Sequence, residues 1–350
     1  MEEIVMKQDG EDDEDEEIIF SKLKLLELRS LARLKRFNGH RAIHAPQLQS
    51  IRVDSYDHHK HIWMTDLNNT IQHQFMTQEV TSTTQLMVLN AENITRIGDV
   101  FPKVRSLSVE IFQDEGVLFP YRSLERFPQL DGLNVEQSSF EEIFPSQDQV
   151  IDFMEKIPPF KGLYISNLDK LKSIWKDDSQ LPPIHQNLAS LEVKNCCNLV
   201  KLTPSSASFE KLRSLSVSGC HQLIHLVTSS IAKSLVRLKW LKIKDCKKME
   251  EIVKNETNGD VEGGITFNQL HGIRLIDMLS LKMFSSQSCT FEFPKLEDIE
   301  VTGCPQMKKL GRGVLKTPKL SKVKIEGCDM EWENEGDLNK TIEMLSLAKV

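Results

Sequence analysis

The sequence predicts an α/β solenoid, a curved horseshoe with a parallel β-sheet on its concave face and loops and short helices on its convex side. Three observations predict it. One spacing of apolar residues recurs along the 350 residues, one cysteine position recurs within that spacing, and a longer segment occurs twice. Hydrophobic residues make up 39% of the chain and charged residues 27%, so the chain can bury a core and keep its surface in water.

The recurring spacing places apolar residues at positions 1, 4, 6, 9, 12 and 15 of a unit. The clearest example consists of Leu212, Leu215, Val217, Cys220, Leu223 and Leu226. Twelve segments follow the spacing in whole or in part, and they start at Leu23, Leu48, Leu86, Val104, Leu130, Phe160, Leu188, Leu212, Leu238, Leu270, Leu296 and Leu320. This is the leucine-rich-repeat pattern, in which each unit forms a short strand and a return segment. Most starts lie 24 to 32 residues apart, whereas the unit read as Leu86, Leu89 and Ala91 is shorter.

Stacking explains why each apolar position is needed. Successive side chains of a strand point to opposite faces, so the two apolar residues of the L-x-L segment point into the solenoid. No unit can bury its apolar face alone, and neighbouring units therefore complete the core. We expect residues 1–350 to form a single array of about twelve units.

The cysteines follow the repeat. Five of the seven occupy the position after the strand, and they are Cys196, Cys220, Cys246, Cys304 and Cys328. A buried side chain there can hydrogen-bond backbone groups that the turn leaves unpaired. This predicts a structural role, because a nucleophilic thiol needs an exposed, electropositive setting. The odd count and the lack of a C-x-x-C pair favour a reducing environment, and hence a cytoplasmic location.

A longer self-similarity extends beyond the repeat. Residues 1–5 and residues 249–253 both read M-E-E-I-V, and an acidic inter-repeat loop is predicted for residues 6–19 after the first copy. Because the second copy lies inside a unit, the chain is predicted to start in mid-repeat. Solenoids need capping units at their ends, so the sequence indicates a fragment of a longer array.

Several helical segments are predicted between the strands. The motif D-L-N-x-T-I starts at Asp66 and again at Asp337. Aspartate and asparagine are favoured helix caps, so short helices are predicted over 66–79 and 337–349. Further helices are predicted over Ser146–Ile157, Ser229–Leu235 and Phe119–Phe127.

The charge and the chain ends exclude several functions. Seven acidic residues at 11–17 account for the whole formal net charge of −7, so the rest of the chain is electrically balanced. A globally basic nucleic-acid binder is therefore excluded. The first residues lack the basic and apolar regions of a secretory signal, and no stretch approaches the about 18 apolar residues of a transmembrane helix. We expect neither nucleic acid nor a membrane as a partner.

The chain lacks the local patterns of common catalytic and metal sites, since neither G-x-S-x-G nor H-E-x-x-H occurs. The densest histidine group is His58, His59 and His61, and the intervening Lys60 favours a solvated loop over a metal site. The sequence predicts a non-enzymatic protein with no catalytic residue, metal, cofactor or small-molecule substrate. A hydrolase that uses a loop cysteine is the alternative.

The strongest candidate site is a surface. The outward residues of the strands are predicted to face the concave side. An exposed tryptophan beside basic residues is unusual there, and aromatic residues and arginine are favoured anchors of protein interfaces. The predicted partner-binding residues are Tyr164, Lys194, Trp240, Lys242, Lys244 and Arg274.

Together these motifs resemble one family. The F-x-x-L-x-x-L-x-V-x-x-C units, the M-E-E-I-V ending, the acidic loop before F-x-K-L and the W…D-L-N-x-T-I segment are similar to the leucine-rich-repeat region of plant disease-resistance proteins of the coiled-coil, nucleotide-binding type. The resemblance implies a sensor that binds pathogen effectors or host targets and, in a full-length relative, restrains a nucleotide-binding domain. The chain lacks the phosphate loop G-x-x-x-x-G-K-[ST], so nucleotide binding does not carry over.

Two alternatives stay open. One is a substrate-recruiting leucine-rich-repeat adaptor of a ubiquitin ligase, which would need an F-box-like helical segment that the sequence does not show. The other is a truncated fragment with no independent function. For the sensor and for the adaptor, the expected partner is another protein.

Overall fold

The computed structural model describes residues 3–5, 18–22, 25–29, 36–38, 43–44, 50–54, 85–88, 104–110, 119–144, 157–175, 184–204, 206–256, 264–326, 328–331, 338–339 and 342. The chain divides into two compact units. The first comprises residues 1–112, 120–136 and 156–158, and the second comprises residues 113–119, 137–155 and 159–350.

The described part of the first unit is built from short parallel strands. They are β1 (Glu3–Val5), β2 (Ile18–Ile19), β3 (Leu25–Arg29), β4 (Arg36–Asn38), β5 (Ile43–His44), β6 (Ser50–Asp54), β7 (Gln85–Val88), β8 (Ser106–Glu110) and β9 (Gly132–Glu136). Strands β3, β6, β7, β8 and β9 form a parallel sheet in that order. Two further parallel pairs join β1 to β4 and β2 to β5.

The described part of the second unit is also built mainly from short parallel strands. Its strands are β10 (Glu142–Phe144), β11 (Gly162–Ser166), β12 (Ser173–Trp175), β13 (Ser190–Lys194), β14 (Ser214–Ser218), β15 (His225–Thr228), β16 (Trp240–Lys244), β17 (Glu251–Lys254), β18 (Ile265–Thr266), β19 (Gly272–Ile276), β20 (Met283–Ser285), β21 (Phe291–Glu292), β22 (Asp298–Thr302), β23 (Leu315–Lys316), β24 (Lys322–Ile325) and β25 (Cys328–Glu331). Two short helices are α1 (Ile184–Asn187) and α2 (Ser229–Ser234).

The principal sheet of the second unit has the order β11, β13, β14, β16, β19, β22 and β24, all parallel. The strands pair in register, so equivalent repeat positions stand side by side. Leu241 and Ile243 of β16 are buried, whereas Trp240, Lys242 and Lys244 are exposed. This alternation confirms the predicted strand of the leucine-rich repeat.

The return side of the second unit carries short parallel strands that pair as β10 with β12, as β15, β17 and β20, and as β18, β21 and β23. Large aromatic side chains fill the space behind the principal sheet, and those that contact one another include Phe144, Phe160, Trp175, Phe209, Phe267, Phe284, Phe291 and Phe293. Burying one such ring contributes about 1.5–3 kcal/mol. Because successive repeats each contribute such a ring, the aromatic side chains together form the core of the return side.

The turn after β9, and the turn after each strand of the principal sheet, contains one residue in the left-handed backbone conformation. These residues are Gln137, Asn167, Asn195, Gly219, Asp245, Asp277, Gly303 and Glu326, with φ between 46° and 69°. Asparagine, aspartate and glycine tolerate this conformation better than other residues. Six of these eight turn amides bond the next strand: for example, the Asn195 N–H donates to the Ser218 carbonyl at 2.8 Å, and the Gly219 N–H donates to the Lys244 carbonyl at 3.0 Å.

One predicted register is wrong. Leu86 and Val88 of β7 pair with Leu107 and Val109 of β8, so they are the two apolar residues of that L-x-L segment. The prediction assigned Leu89 and Ala91 to this role. An extra leucine three residues further on imitates the start of the pattern, and the sequence alone offered no partner strand to separate the two registers.

The predicted position of Cys328, in the turn after its strand, is also wrong. It begins β25, which pairs antiparallel with β24 and brings Ile325 opposite Cys328. Cys328 therefore lies in a hairpin strand rather than in the turn that the other four repeat cysteines occupy. An antiparallel strand here covers one edge of the sheet, which would otherwise expose unpaired backbone groups.

The predicted helices are partly described. Helix α2 confirms the segment predicted over Ser229–Leu235, and residues 121–126 form a 3₁₀ helix within the segment predicted over Phe119–Phe127. Leu338, Asn339 and Ile342 are helical within the segment predicted over 337–349. The segment 66–79, His58–His61, most of the acidic loop 6–19 and most of Ser146–Ile157 lie outside the described residues. The prediction of one array over residues 1–350 that starts in mid-repeat stays a prediction.

Candidate protein-binding surface

The outward face of the principal sheet in the second unit displays three rows of side chains. Parallel pairing in register puts the first, third and fifth residue of each strand beside its equivalents on neighbouring strands. On β16 these residues are Trp240, Lys242 and Lys244. Binding properties of this face therefore depend on which strands are neighbours, not on how far apart their residues lie in the sequence.

Trp240 is the prominent side chain of the first row, with 51% of its surface exposed. Its ring lies over Gly272 of β19 and stands 6.3 Å from the His271 ring at an angle of 33°. A Cβ atom on Gly272 would come within 2.7 Å of Trp240 Cε3, so only glycine lets the indole lie across the neighbouring strand. His271 is itself held, because its Nδ1 hydrogen-bonds the Gln269 carbonyl at 2.6 Å.

Basic side chains continue this surface through the other two rows. Lys242 and Arg274 stand side by side on paired strands. Arg274 reaches Asp298 and Glu300, each at 3.8 Å, and Lys244 reaches Asp277 at 4.0 Å. Exposed ion pairs at such distances contribute roughly 0–1 kcal/mol. The basic groups are therefore only weakly held by their acidic neighbours.

The structure separates two of the predicted residues from the other four. Tyr164 lies on β11, three strands from β16, which is about 14 Å at the usual strand spacing. Its ring lies over Gly162 of its own strand and is 40% exposed. Lys194 lies on β13, two strands from β16. We call Trp240, Lys242, Lys244 and Arg274 the Trp240 patch, since these four are adjacent.

Sequence reasoning missed two basic residues beside the patch. Arg213 and Lys239 are exposed and immediately precede β14 and β16. The Arg213 carbonyl accepts hydrogen bonds from the Lys239 N–H at 2.8 Å and from the Trp240 N–H at 3.1 Å, which keeps these backbones adjacent. Their position in the sequence could have identified them, because each residue directly follows the leucine at the first position of its repeat.

The repeat cysteines lie under the turn and away from this face. The Cys196, Cys220, Cys246 and Cys304 thiols donate to backbone carbonyls at 3.5–3.6 Å, as predicted. Burial raises the pKa of the Cys246 and Cys304 thiols to about 12 each. The hydrogen bond with Cys196, together with burial, raises the pKa of Cys220. The Cys220, Cys246 and Cys304 thiols therefore stay protonated at neutral pH and are poor nucleophiles.

The two other cysteines have raised pKa values as well. Burial is the largest cause for both Cys197 and Cys289, and nearby Asp169 adds to the effect at Cys197. Among the described residues, no three histidine, cysteine, aspartate or glutamate side chains are grouped to hold a metal ion. Over the same part of the chain, no helix has the length and apolarity needed to cross a membrane.

The stacked parallel strands, the buried L-x-L pairs and the turn cysteines define a leucine-rich-repeat protein. The family model of plant disease resistance protein RPS2-like leucine-rich repeats matches residues 77–208 and 201–329. This chain belongs to that family, which confirms the resemblance noted from its motifs.

Individual relatives match a similar portion of the chain. A probable disease resistance protein of Arabidopsis thaliana, At1g61300, is 26% identical over 203 residues, covering 56% of this chain and 25% of that protein. The disease resistance protein UNI of Arabidopsis thaliana is 23% identical over 195 residues, covering 54% of this chain and 21% of that protein. The chain thus matches about a quarter of the length of these relatives.

Among solved structures, the crystal structure of a TLR13–ssRNA13 complex matches with a TM-score of 0.40 and 16% identity. The match covers 88% of this chain and 45% of that chain.

Proposed function

We propose that this chain is a protein-recognition module of plant immunity. It binds a pathogen effector or a host target through the outward face of the principal sheet in the second unit, and it acts by binding rather than by catalysis. In a full-length relative, the same repeats restrain a nucleotide-binding domain. A cytoplasmic location fits this role, because reduced, buried cysteines are built into the repeat.

The observation that carries this proposal is the Trp240 patch, in a chain of the disease-resistance family. An exposed tryptophan among basic side chains gains much from burial by a partner, and tryptophan and arginine are the residues most often found as interface hot spots. The ring is already positioned by Gly272 and His271. A preorganised anchor loses little side-chain entropy on binding.

The test begins by identifying a partner. The full chain is expressed in plant tissue with a photo-reactive amino acid in place of Lys239, which is exposed beside the patch, and in a matched sample in place of Lys282. Lys282 is also exposed but pairs with Glu250 on the return side. A protein cross-linked at position 239 and not at position 282 is then purified for titration.

Binding of that partner is measured by calorimetry with Trp240→Ala and Arg274→Glu. We expect each change to weaken binding at least about 10-fold, because a hot-spot residue contributes 1.4 kcal/mol or more. Leu279→Ala is the control, since Leu279 is also 51% exposed but lies in the turn beyond β19. Unchanged affinity in both patch variants would refute the proposed surface.

A further inference from the structure

Strand β14, which lies next to β16 of the Trp240 patch, has only small side chains on its outward face, and we call this face the serine strip. Its outward residues are Ser214, Ser216 and Ser218, all half-buried. Their hydroxyl groups make no hydrogen bond to another described residue. The exposed Lys242 and Lys244 of β16 border the strip on one side, and the Trp240 indole lies on the far side of β16, over Gly272 of β19. The strip therefore offers three hydroxyl groups beside two lysines, with the indole one strand further on.

The charge on the β16 side of this strip is basic. The outward positions of β14 and β16 hold no carboxylate, whereas Lys242 and Lys244 project from β16, and Arg213 and Lys239 precede the two strands. Lys242 has no ion pair among the described residues. Its neighbourhood therefore carries uncompensated positive charge, which favours an acidic partner.

Acidic side chains limit the width of this basic surface. Glu192 on β13 lies beyond the serine strip, and Asp298 and Glu300 on β22 lie beyond Arg274. Only β14, β16 and β19 separate these borders, so the basic surface is about 10–15 Å wide. Acidic borders repel a long polyanion such as a nucleic acid, but they leave room for one extended polypeptide segment.

The spacing along β16 specifies the order of residues in that segment. Trp240, Lys242 and Lys244 are successive outward residues, so they stand about 7 Å apart. An extended peptide has the same two-residue spacing on one face. An apolar side chain against the indole is thus followed, two and four residues away, by carboxylates against the two lysines.

We propose that the Trp240 patch recognises an extended acidic segment of a partner protein, with the pattern apolar-x-acidic-x-acidic, which lies along β14 with its backbone over the three serines. This rests on the proposed function and names the chemistry of the partner. Carboxylates pair with Lys242 and Lys244, the serine hydroxyls hydrogen-bond the peptide backbone, and Trp240 covers the apolar residue.

The experiment measures fluorescence anisotropy of a labelled peptide, Gly-Ser-Leu-Ser-Glu-Ser-Glu-Ser-Gly, titrated with the full chain. Two control peptides have Gln in place of Glu, or the same composition with the two Glu residues adjacent. We expect at least 10-fold weaker binding of each control. Affinity should also fall steeply as salt is raised from 50 to 500 mM.

Variants of the chain locate the site. Lys242→Glu should abolish binding of the acidic peptide, and Trp240→Ala should weaken it at least 10-fold. Lys324→Glu is the matched control on the same face, because Lys324 already pairs with Glu300 at 3.2 Å, and it should bind normally. Circular dichroism spectra of all three variants should match that of the unmodified chain.

Three outcomes would overturn the inference: equal binding of the acidic and Gln peptides, loss of binding in Lys324→Glu but not in Lys242→Glu, or tighter binding of a nine-nucleotide single-stranded RNA. Its failure is separable from failure of the proposed function. A cross-linked partner that depends on Trp240 while the acidic peptide does not bind leaves the recognition role standing and refutes the acidic segment. Loss of both results refutes both.

Discussion

Two regions of the principal sheet have the same backbone arrangement but different outward side chains. On β14 and β16, the outward side chains are three serines, Trp240 and two lysines, without any carboxylate. On β22 and β24, outward lysines stand among carboxylates, and Lys324 meets Glu300 at 3.2 Å. The inward residues are the same type in both. The repeat therefore fixes the core while its outward positions vary freely, and four changes test that separation.

The largest effect is expected in the core, and it should be equal in both regions. Leu241→Ala on β16 and Ile299→Ala on β22 each remove a buried aliphatic side chain. Each should lower the free energy of unfolding by about 2–5 kcal/mol through lost burial and a residual cavity. Urea titration followed by circular dichroism measures this. Ser216→Ala is the surface control, and a similar loss there would contradict the separation of core and surface.

The cysteines should make both regions sensitive to high pH. Burial raises the pKa of Cys246 and of Cys304 from 9.0 to about 12, so the folded protein holds these protons more tightly than the unfolded chain. Stability from this source is full below pH 9 and is lost as pH rises towards 12. The measurement is the thermal midpoint between pH 8 and pH 11, with Cys246→Ala/Cys304→Ala as control. A slope that is the same in both proteins would exclude the cysteines as its cause.

The turn glycines should come next. Gly219 follows β14 and Gly303 follows β22, with φ of 66° and 69°. A Cβ atom would lie 2.5 Å from Asn195 Oδ1 at the first and 2.6 Å from Asp277 Oδ1 at the second. Alanine at either position should cost about 1–3 kcal/mol, because strain and crowding add. Thermal melts compare the two variants with Gly311→Ala, whose φ is not positive. Normal melting of both turn variants would show that the turn is not strained.

Charge reversal should have the smallest effect on stability, and it should differ between the regions. Lys324→Glu places a carboxylate beside Glu300 and should cost up to about 1 kcal/mol. Lys242→Glu meets no carboxylate on its own or the preceding strand and should cost less. Chemical denaturation at low salt and at 1 M salt distinguishes them, since screening removes the difference. Equal costs at low salt would mean that the two surfaces are not electrostatically distinct.

Much of this fold could be predicted because the same apolar spacing occurs many times, so the strand assignment does not depend on any single ambiguous segment. The L-x-L strands and four of the five repeat cysteines have the predicted positions. The errors at Leu89 and Cys328 arose where a partner strand, rather than the local pattern, decides the register. Apolar spacing at these two places fits more than one pairing.

The surface was harder to predict than the core. Trp240, Lys242, Lys244 and Arg274 were brought together because strand pairing follows from the repeat. The predicted surface groups Tyr164 with these four residues, although β13 and β14 lie between its strand β11 and β16. An outward position on a strand does not by itself show that two residues are neighbours. The ion pairs of Arg274 with Asp298 and Glu300 depend on long flexible side chains that no spacing rule describes.

The last three residues of each M-E-E-I-V copy form a short parallel strand, β1 in the first unit and part of β17 in the second. In the first unit Glu3 and Val5 pair with Arg36 and Asn38, and in the second Glu251 and Val253 pair with Met283 and Ser285. Each repeat of a solenoid contacts only the repeats next to it. Recombination between the two copies would therefore add or delete a whole block of repeats while the short strand at the junction kept a parallel partner. Such an exchange changes the set of outward residues in one genetic step and keeps the strand pairing at the junction.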